Sequence, residues 1–190
     1  IDQAIYVADI HNHAILYANA AFKKRFGSNP INHTCYSFIH NYNQPCSFCS
    51  NPVISKQKGV FNWEQYHEQT KSYYYMIDKA IQWTNKREAR FSMAIDITRM
   101  KHAEAENRKL SAAVEQNPAT IVMTDTHGNI EYVNPAFTHN TGYSQQEAIG
   151  RNPRILKSGK TDKKLYKELW STIKQGQVWK GTFVNRHKNG

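Results

Sequence analysis

Ile5-Tyr6-Val7-Ala8-Asp9, followed by Ile15-Leu16-Tyr17-Ala18-Asn19-Ala20-Ala21-Phe22 and Gly27, decides the fold because the chain writes it twice. The phrase returns as Ile121-Val122-Met123-Thr124-Asp125, then Ile130-Glu131-Tyr132-Val133-Asn134-Pro135-Ala136-Phe137 and Gly142. Asp9 maps onto Asp125 at an offset of 116 and Asn19 onto Asn134 at 115, so one residue is dropped inside the His-rich turn of the second copy. A period this long points to tandem copies of one small domain, since solenoid repeats run to roughly 20–50 residues.

Each copy reads as a short β-branched strand closed by Asp, a polar turn (His11-Asn12-His13 or His127-Gly128-Asn129), and a second strand ending in Asn. Two strands so closely spaced predict a hairpin. Asn19 and Asn134 then stand where a helix N-cap belongs, and Pro135 occupies the first helical position, which suits its fixed φ and missing donor. The hairpin should run directly into a helix.

The order of a strand ending in Asp, a Gly- or Asn-containing turn, I-x-Y-x-N-x-A-F and a following Gly resembles the opening of PAS domains, the sensory α/β modules of signalling proteins. Further landmarks are similar: Gly142 through Gly150, Leu169-Trp170-Ser171-Thr172-Ile173 and Trp179-Lys180-Gly181 in the second copy, and Asp96-Ile97-Thr98 closing the first. The resemblance implies an α+β chain of two PAS folds, each an antiparallel five-stranded sheet with flanking helices, joined by a helix. The first domain would span 1–98 with a Cys-containing insertion at 32–51, the helix 99–114, and the second domain 115–190. Lys188-Asn189-Gly190 reads as a hairpin turn, so the second domain is expected to be incomplete at its C-terminal strands, and Ile1 stands almost inside the first strand.

At 190 residues there is enough chain for two cores. No apolar run reaches 18 residues and no signal peptide is evident, so a cytoplasmic location is expected, with membrane anchoring outside this window left open. The net charge is +10, and residues 151–190 carry eleven basic against two acidic side chains. These lysines lack interleaved aromatics at base-stacking spacing and no nucleic-acid motif accompanies them, so a solvated basic face is expected and not a nucleic-acid interface.

All three cysteines, Cys35, Cys46 and Cys49, fall in the insertion. An odd number, with none in the second domain, argues against a disulfide framework. Cys46 and Cys49 with Cys35 and either His33 or His40 could supply four soft ligands to zinc or iron. The preferred reading is a reduced loop with partly buried thiols. Beyond it, Phe61 and Trp63, then Tyr73, Tyr75, Ile77, Lys79, Ile81 and Trp83, then Phe91, Met93, Ile95 and Ile97 alternate at period two, which predicts antiparallel strands with one face buried.

Thr98 to Val114 is rich in Ala, Glu, Lys and Arg without Gly or Pro. Met100, Ala103, Asn107, Leu110 and Val114 are spaced 3-4-3-4, an a/d stripe with one polar residue of the kind that fixes register in parallel two-stranded coiled coils. A homodimer through this helix is expected, against the alternative of a connector packed on its own domain.

Gly150-Arg151-Asn152-Pro153-Arg154-Ile155-Leu156-Lys157, with Thr161-Asp162, is similar to the flavin-contacting segment of LOV domains, the blue-light subgroup of PAS. Pro153 stands where that subgroup has its photoactive cysteine, so a flavin–cysteinyl photocycle is excluded. The resemblance implies that Asn152 and Arg154 face a ribityl chain and phosphate, with Lys157 in place of a Gln. Trp179-Lys180-Gly181 and Phe183 through Asn185-Arg186 resemble the FAD-binding PAS domains of redox-sensing regulators, with Asn185 at the ring edge. Ile121, Met123, Ile155, Leu156, Trp170, Trp179 and Phe183 could furnish the apolar slot. FAD or FMN is one expectation; a pocket without cofactor, where Asn152 caps a helix and Trp179 fills the core, is the other, and His139 is the best axial candidate for a haem. No phosphate loop, carboxylate pair or nucleophile–base set is visible, so the chain is read as a sensor and not an enzyme. The expected output, in cis, is a diguanylate cyclase or a histidine kinase; the alternative is a cofactor-free dimerisation and relay module.

Overall fold

The structure is a computed structural model that describes residues 2–57 and 59–190, the Asn85 side chain excepted. The chain divides into two compact units, Ile1–Ala105 and Glu106–Gly190.

In the first unit, β1 (Ala4–Asp9) and β2 (Ile15–Ala18) pair antiparallel, as the repeated phrase predicts. Asp9 shapes the turn: its Oδ1 accepts the backbone N–H of His11 at 2.8 Å and of Asn12 at 3.1 Å. The Asn that ends the hairpin clamps it to the next helix. Asn19 Oδ1 accepts from the N–H groups of Ile5 and Phe22 while its Nδ2 donates to the Gln3 carbonyl, so one side chain ties β1 to the start of α1 (Ala20–Phe26). Two short helices, α2 (Cys35–His40) and α3 (Asn51–Ile54), precede β3 (Val60–His67), β4 (Ser72–Gln82) and β5 (Glu88–Asp96). The sheet is five-stranded and antiparallel in the order β2-β1-β5-β4-β3.

The two faces of this sheet differ in character. Phe61 and Trp63 of β3 lie on the inner side, with Trp63 packed against the core. In β4 and β5 the buried positions are Tyr74, Met76, Asp78, Arg90, Ser92 and Ala94, together with Ala89 at the start of β5, while Tyr73, Tyr75, Ile77, Phe91, Met93 and Ile95 are half-buried on the other side. The bulky alternation therefore marks the outer face. The inner face carries small and polar residues, because it must close over a cavity and a hydrogen-bonded network and not only over hydrocarbon. There Asp78 accepts from Ser92 Oγ at 2.5 Å and Trp63 Nε1 at 2.7 Å.

Asp96-Ile97-Thr98 is the exit. Asp96 Oδ1 accepts the Thr98 N–H at 3.0 Å, and the Tyr73 N–H donates to Thr98 Oγ1 at 2.9 Å, so the first residue of α4 (Thr98–Glu115) is pinned to strand β4. No residue of α4 is buried; Met100 and Leu110 of the a/d stripe are 48% and 60% exposed.

The second unit repeats the opening. β6 (Val122–Thr124) and β7 (Ile130–Val133) form a two-stranded sheet, and Asn134 caps α5 (Pro135–Thr141). Its clamp is more extensive than that of Asn19. Oδ1 accepts from Ile121 and Phe137, and Nδ2 faces the carbonyls of Val114, Asn117 and Ala119, so the end of α4 and the β6–β7 hairpin share one amide. After α6 (Gln145–Ala148), closed by a Ser144–Glu147 capping box, a 3-10 turn at Pro153–Leu156 leads to α7 (Lys163–Lys174). Ile130, Val133, Phe137, Ala148 and Leu156 form the core.

Candidate functional site

The residues of the LOV-like segment converge on a cleft of about 640 Å³ inside the second unit. Asn152, Arg154, Leu156 and Lys157 form one wall, α7 contributes Tyr166 and Trp170, and Phe183 and Asn185 come from the last segment. That segment is held by an antiparallel bridge between Lys157 and Asn185, by the Arg186 N–H donating to the Leu156 carbonyl at 2.9 Å, and by the Val184 N–H donating to Thr161 Oγ1 at 3.0 Å. Beyond it, Lys188 Nζ donates to Glu147 Oε1 at 2.5 Å and holds that carboxyl down at about 2.

Aromatic rings floor the cleft. Phe183 stacks between Tyr166 at 5.0 Å and Trp179 at 4.9 Å, both within 25° of parallel. Lys157 Nζ lies 4.2 Å over the Tyr166 ring, a cation–π contact that keeps the charge at the cleft's edge.

Of the expected cofactor residues, Asn152, Arg154, Lys157, Phe183 and Asn185 line the cleft. Ile155 instead packs against the core cluster, Trp179 backs Phe183, and Arg186 contributes only its backbone. Met123 is 49% exposed, and neither it nor Ile121 lines the cleft. Asn152 has its amide committed: Oδ1 accepts the Arg154 N–H at 3.1 Å and Nδ2 donates to the Gly128 carbonyl at 2.9 Å. It therefore acts as a clamp between the β6–β7 turn and the 3-10 turn. Gly128 is required there, since with φ +84 a Cβ would come within 2.8 Å of both Asn152 Nδ2 and the Trp170 ring. His139 is exposed on α5 and is not among the cleft residues.

The three cysteines sit in the first unit, all as free thiols. They line a cavity of about 40 Å³ together with His40, His67 and Arg90. His33 is elsewhere, its ring packing on Phe38 at 5.6 Å and its carbonyl accepting the Ile15 N–H, whereas His40, the alternative fourth residue, lines the cavity with the three cysteines. Among the described residues no three His, Cys, Asp or Glu side chains are arranged to hold a metal ion. Burial pushes the Cys35 thiol up and the Cys46 thiol up to about 11, while burial and the neighbouring His67 hold His40 down at about 4. The cavity wall thus sets thiols and imidazoles around one guanidinium, Arg90, which the sequence did not single out.

Sheet, helices and clamps of this order are those of a sensory α/β domain. The family described as PAS domain matches residues 2–109, and the one described as PAS fold matches 108–189. The chain belongs to the PAS domain family. It is 43% identical over 77 residues to the nitrogen fixation regulatory protein of Klebsiella pneumoniae, a stretch covering 40% of this chain and 16% of that protein. It is also 33% identical over 67 residues to the aerotaxis receptor of Escherichia coli, covering 35% of this chain and 13% of the receptor. The chain thus spans a small part of the length of these regulatory proteins. Among solved structures, the PAS domain of nitrogen regulation protein NR(II) from Vibrio parahaemolyticus aligns over 51% of this chain and 91% of that one, at 15% identity and a TM-score of 0.41. No helix among the described residues is long and apolar enough to cross a membrane.

Proposed function

We propose that this chain is the sensory input of a bacterial-type signalling protein, and that its second PAS domain takes a flavin, FAD or FMN, in the cleft beside Lys157 and Asn185. The observation that carries this is the cleft itself. Its volume of about 640 Å³ lies in the range of small-molecule sites, its floor is a flat aromatic stack, and its rim offers Arg154 and Lys157. A flavin needs an apolar slot, polar groups for the ring edge and cations for its phosphate. Phe183 and Trp170 would form the slot, Asn185 would meet the edge, and Arg154 and Lys157 would face the phosphate; Asn152, whose Oδ1 accepts the Arg154 N–H, would position Arg154. Bound there, the flavin would supply reversible two-electron redox chemistry, and its occupancy or redox state would be the stimulus. The kinship with a nitrogen fixation regulator and an aerotaxis receptor supports a regulatory role of this kind.

The signal would pass through α4, whose exposed Met100, Ala103, Asn107 and Leu110, with the half-buried Val114, would pair with a second copy in a parallel seam. A diguanylate cyclase or histidine kinase in cis would read it. The other reading, a cofactor-free tandem that only dimerises and relays, is favoured by Asn152, whose amide is spent on capping. Visible absorption decides between the two: purified protein that takes up FAD or FMN and shows a protein-bound flavin spectrum supports the sensor, and protein that stays colourless with either supports the relay. Sedimentation tests the seam, since Leu110→Glu should convert a dimer to a monomer, and a monomeric wild type at high concentration would refute it.

A further inference from the structure

Arg90 is 95% buried, in the inner face of the first unit's sheet, without a carboxylate within ion-pairing distance among the described residues. Its Nη1 donates to Asn51 Oδ1 at 2.8 Å and faces Ser50 Oγ at 3.4 Å and Cys49 Sγ at 3.6 Å; its Nη2 donates to Tyr6 OH at 2.8 Å and faces Cys35 Sγ at 3.4 Å. The remaining donor, Nε–H, is buried and has no partner in the protein. None of the groups in contact is a carboxylate, and burial favours the protonated forms of the Tyr6 phenol and the Cys35 thiol. Two carboxylates are buried in this unit among the described residues: Asp9, which holds the β1–β2 turn and faces Arg87 at 3.5 Å, and Asp78, which acts on Arg90 through space but whose oxygens accept from Trp63 and Ser92; neither lines the cavity. A buried cation without a counter-charge in contact is costly, and proteins ordinarily pair it.

The cavity beside it measures about 40 Å³, with Cys46, Cys49 and Phe48 toward its outer side, where these residues are partly exposed. At roughly 10–15 Å³ for each water-sized occupant, such a space takes a species of two or three heavy atoms. Flavin, haem and five-atom oxyanions do not fit. Because the remaining wall is largely aromatic and sulfur-bearing, a strongly hydrated ion would not recover its lost hydration there.

We propose that the first PAS domain binds a small, weakly hydrated monovalent anion, of the nitrite or azide class, on the guanidinium of Arg90 between Cys35 and Cys49. The site is separate from the second unit's cleft and does not depend on flavin binding. It would give the chain a second input, in which an anion neutralises the buried charge and tightens the α2–α3 insertion onto the sheet through Cys35, Ser50 and Asn51.

Nuclear magnetic resonance of the ¹⁵N-labelled protein tests this at the atom concerned. The Nε–H resonance of Arg90, assigned by its loss in Arg90→Lys, should move in a saturable one-to-one manner when sodium azide is added at constant ionic strength. Nitrite should compete and sulfate should leave the resonance in place. Ala94→Val, which narrows the cavity and keeps Arg90, should weaken the azide effect at least tenfold. An Nε–H resonance that does not respond to azide or nitrite, that responds equally to sulfate, or that responds in Ala94→Val as in the wild type would overturn the proposal.

Discussion

The two units open with the same phrase and finish with different chemistry. In both, Asp bends the hairpin turn, Asn clamps hairpin to helix, and a fully buried Phe, Phe22 or Phe137, seats that helix on the sheet. Past that helix the two units diverge. The first unit completes a five-stranded sheet whose inner face closes over a small cavity lined by the Arg90 guanidinium, whereas the second presents a cleft about sixteen times larger, floored by stacked aromatics and rimmed by cations. The repeated phrase thus builds a frame, and on the proposed reading the segment after the helix, 32–51 in one unit and 150–157 in the other, would choose the ligand class.

The sharpest way to break the claim of a shared frame is to remove its paired anchors. Phe22→Ala and Phe137→Ala should each cost about 3–5 kcal/mol of its own unit's stability, the usual penalty for truncating a buried Phe. Hydrogen exchange should show each loss confined to its own unit. A loss spread evenly over both units would mean that they do not fold as separate bodies.

The clamps should rank next and about equally. Asn19→Ala takes the partner from the Ile5 and Phe22 N–H groups and the Gln3 carbonyl; Asn134→Ala takes it from the Ile121 N–H and the Asn117 and Ala119 carbonyls, while the Phe137 N–H keeps the Asn134 carbonyl and the Val114 carbonyl keeps the Asn117 N–H. With about 1–3 kcal/mol for a buried group left unsatisfied, each substitution should cost a similar amount in denaturant unfolding of its own unit. A penalty more than about 2 kcal/mol larger for one of them would mean that the two clamps do different structural work.

A smaller difference concerns pH. His40 is held at about 4 by burial and by His67, against an ordinary value of 6.5, and His67 is lowered as well. Between pH 6.5 and 4 the unfolded chain takes up protons that the folded first unit refuses. Stability is therefore full above pH 6.5 and drains as pH falls toward 4, by less than the bare shift implies because His40 is partly exposed. His40→Gln should flatten the thermal midpoint of the first unit across that range, and an unchanged slope would assign the effect to other groups.

The hairpins, the capping roles of Asn19 and Asn134 and the helix at 98–115 were legible in the sequence, because turn, cap and helix propensities act locally. The inner face of β4 and β5 was not. Period two identifies two faces without saying which is inside, and here Phe91, Met93 and Ile95 mark the outer one. Arg90 was missed for the same reason: it stands in the small and polar phase with Ser92 and Ala94, and only a reading that put that phase inside would have drawn attention to a buried cation. In the second unit the local motif brought Asn152, Arg154 and Lys157 to one wall, but the amide of Asn152 was spent on Arg154 and Gly128, contacts set by the packing of two turns and not by spacing.

Equilibrium titration with FAD and FMN, followed by flavin fluorescence and absorption, tests the division of labour between the units most directly. The wild-type protein should bind one flavin per chain. Phe183→Ala and the double variant Arg154→Ala/Lys157→Ala should each weaken binding by at least about tenfold, equivalent to about 1.4 kcal/mol, while Arg90→Lys should leave it unchanged. No uptake of either flavin, or a loss of binding that tracks Arg90 and not the second unit's cleft, would contradict the account.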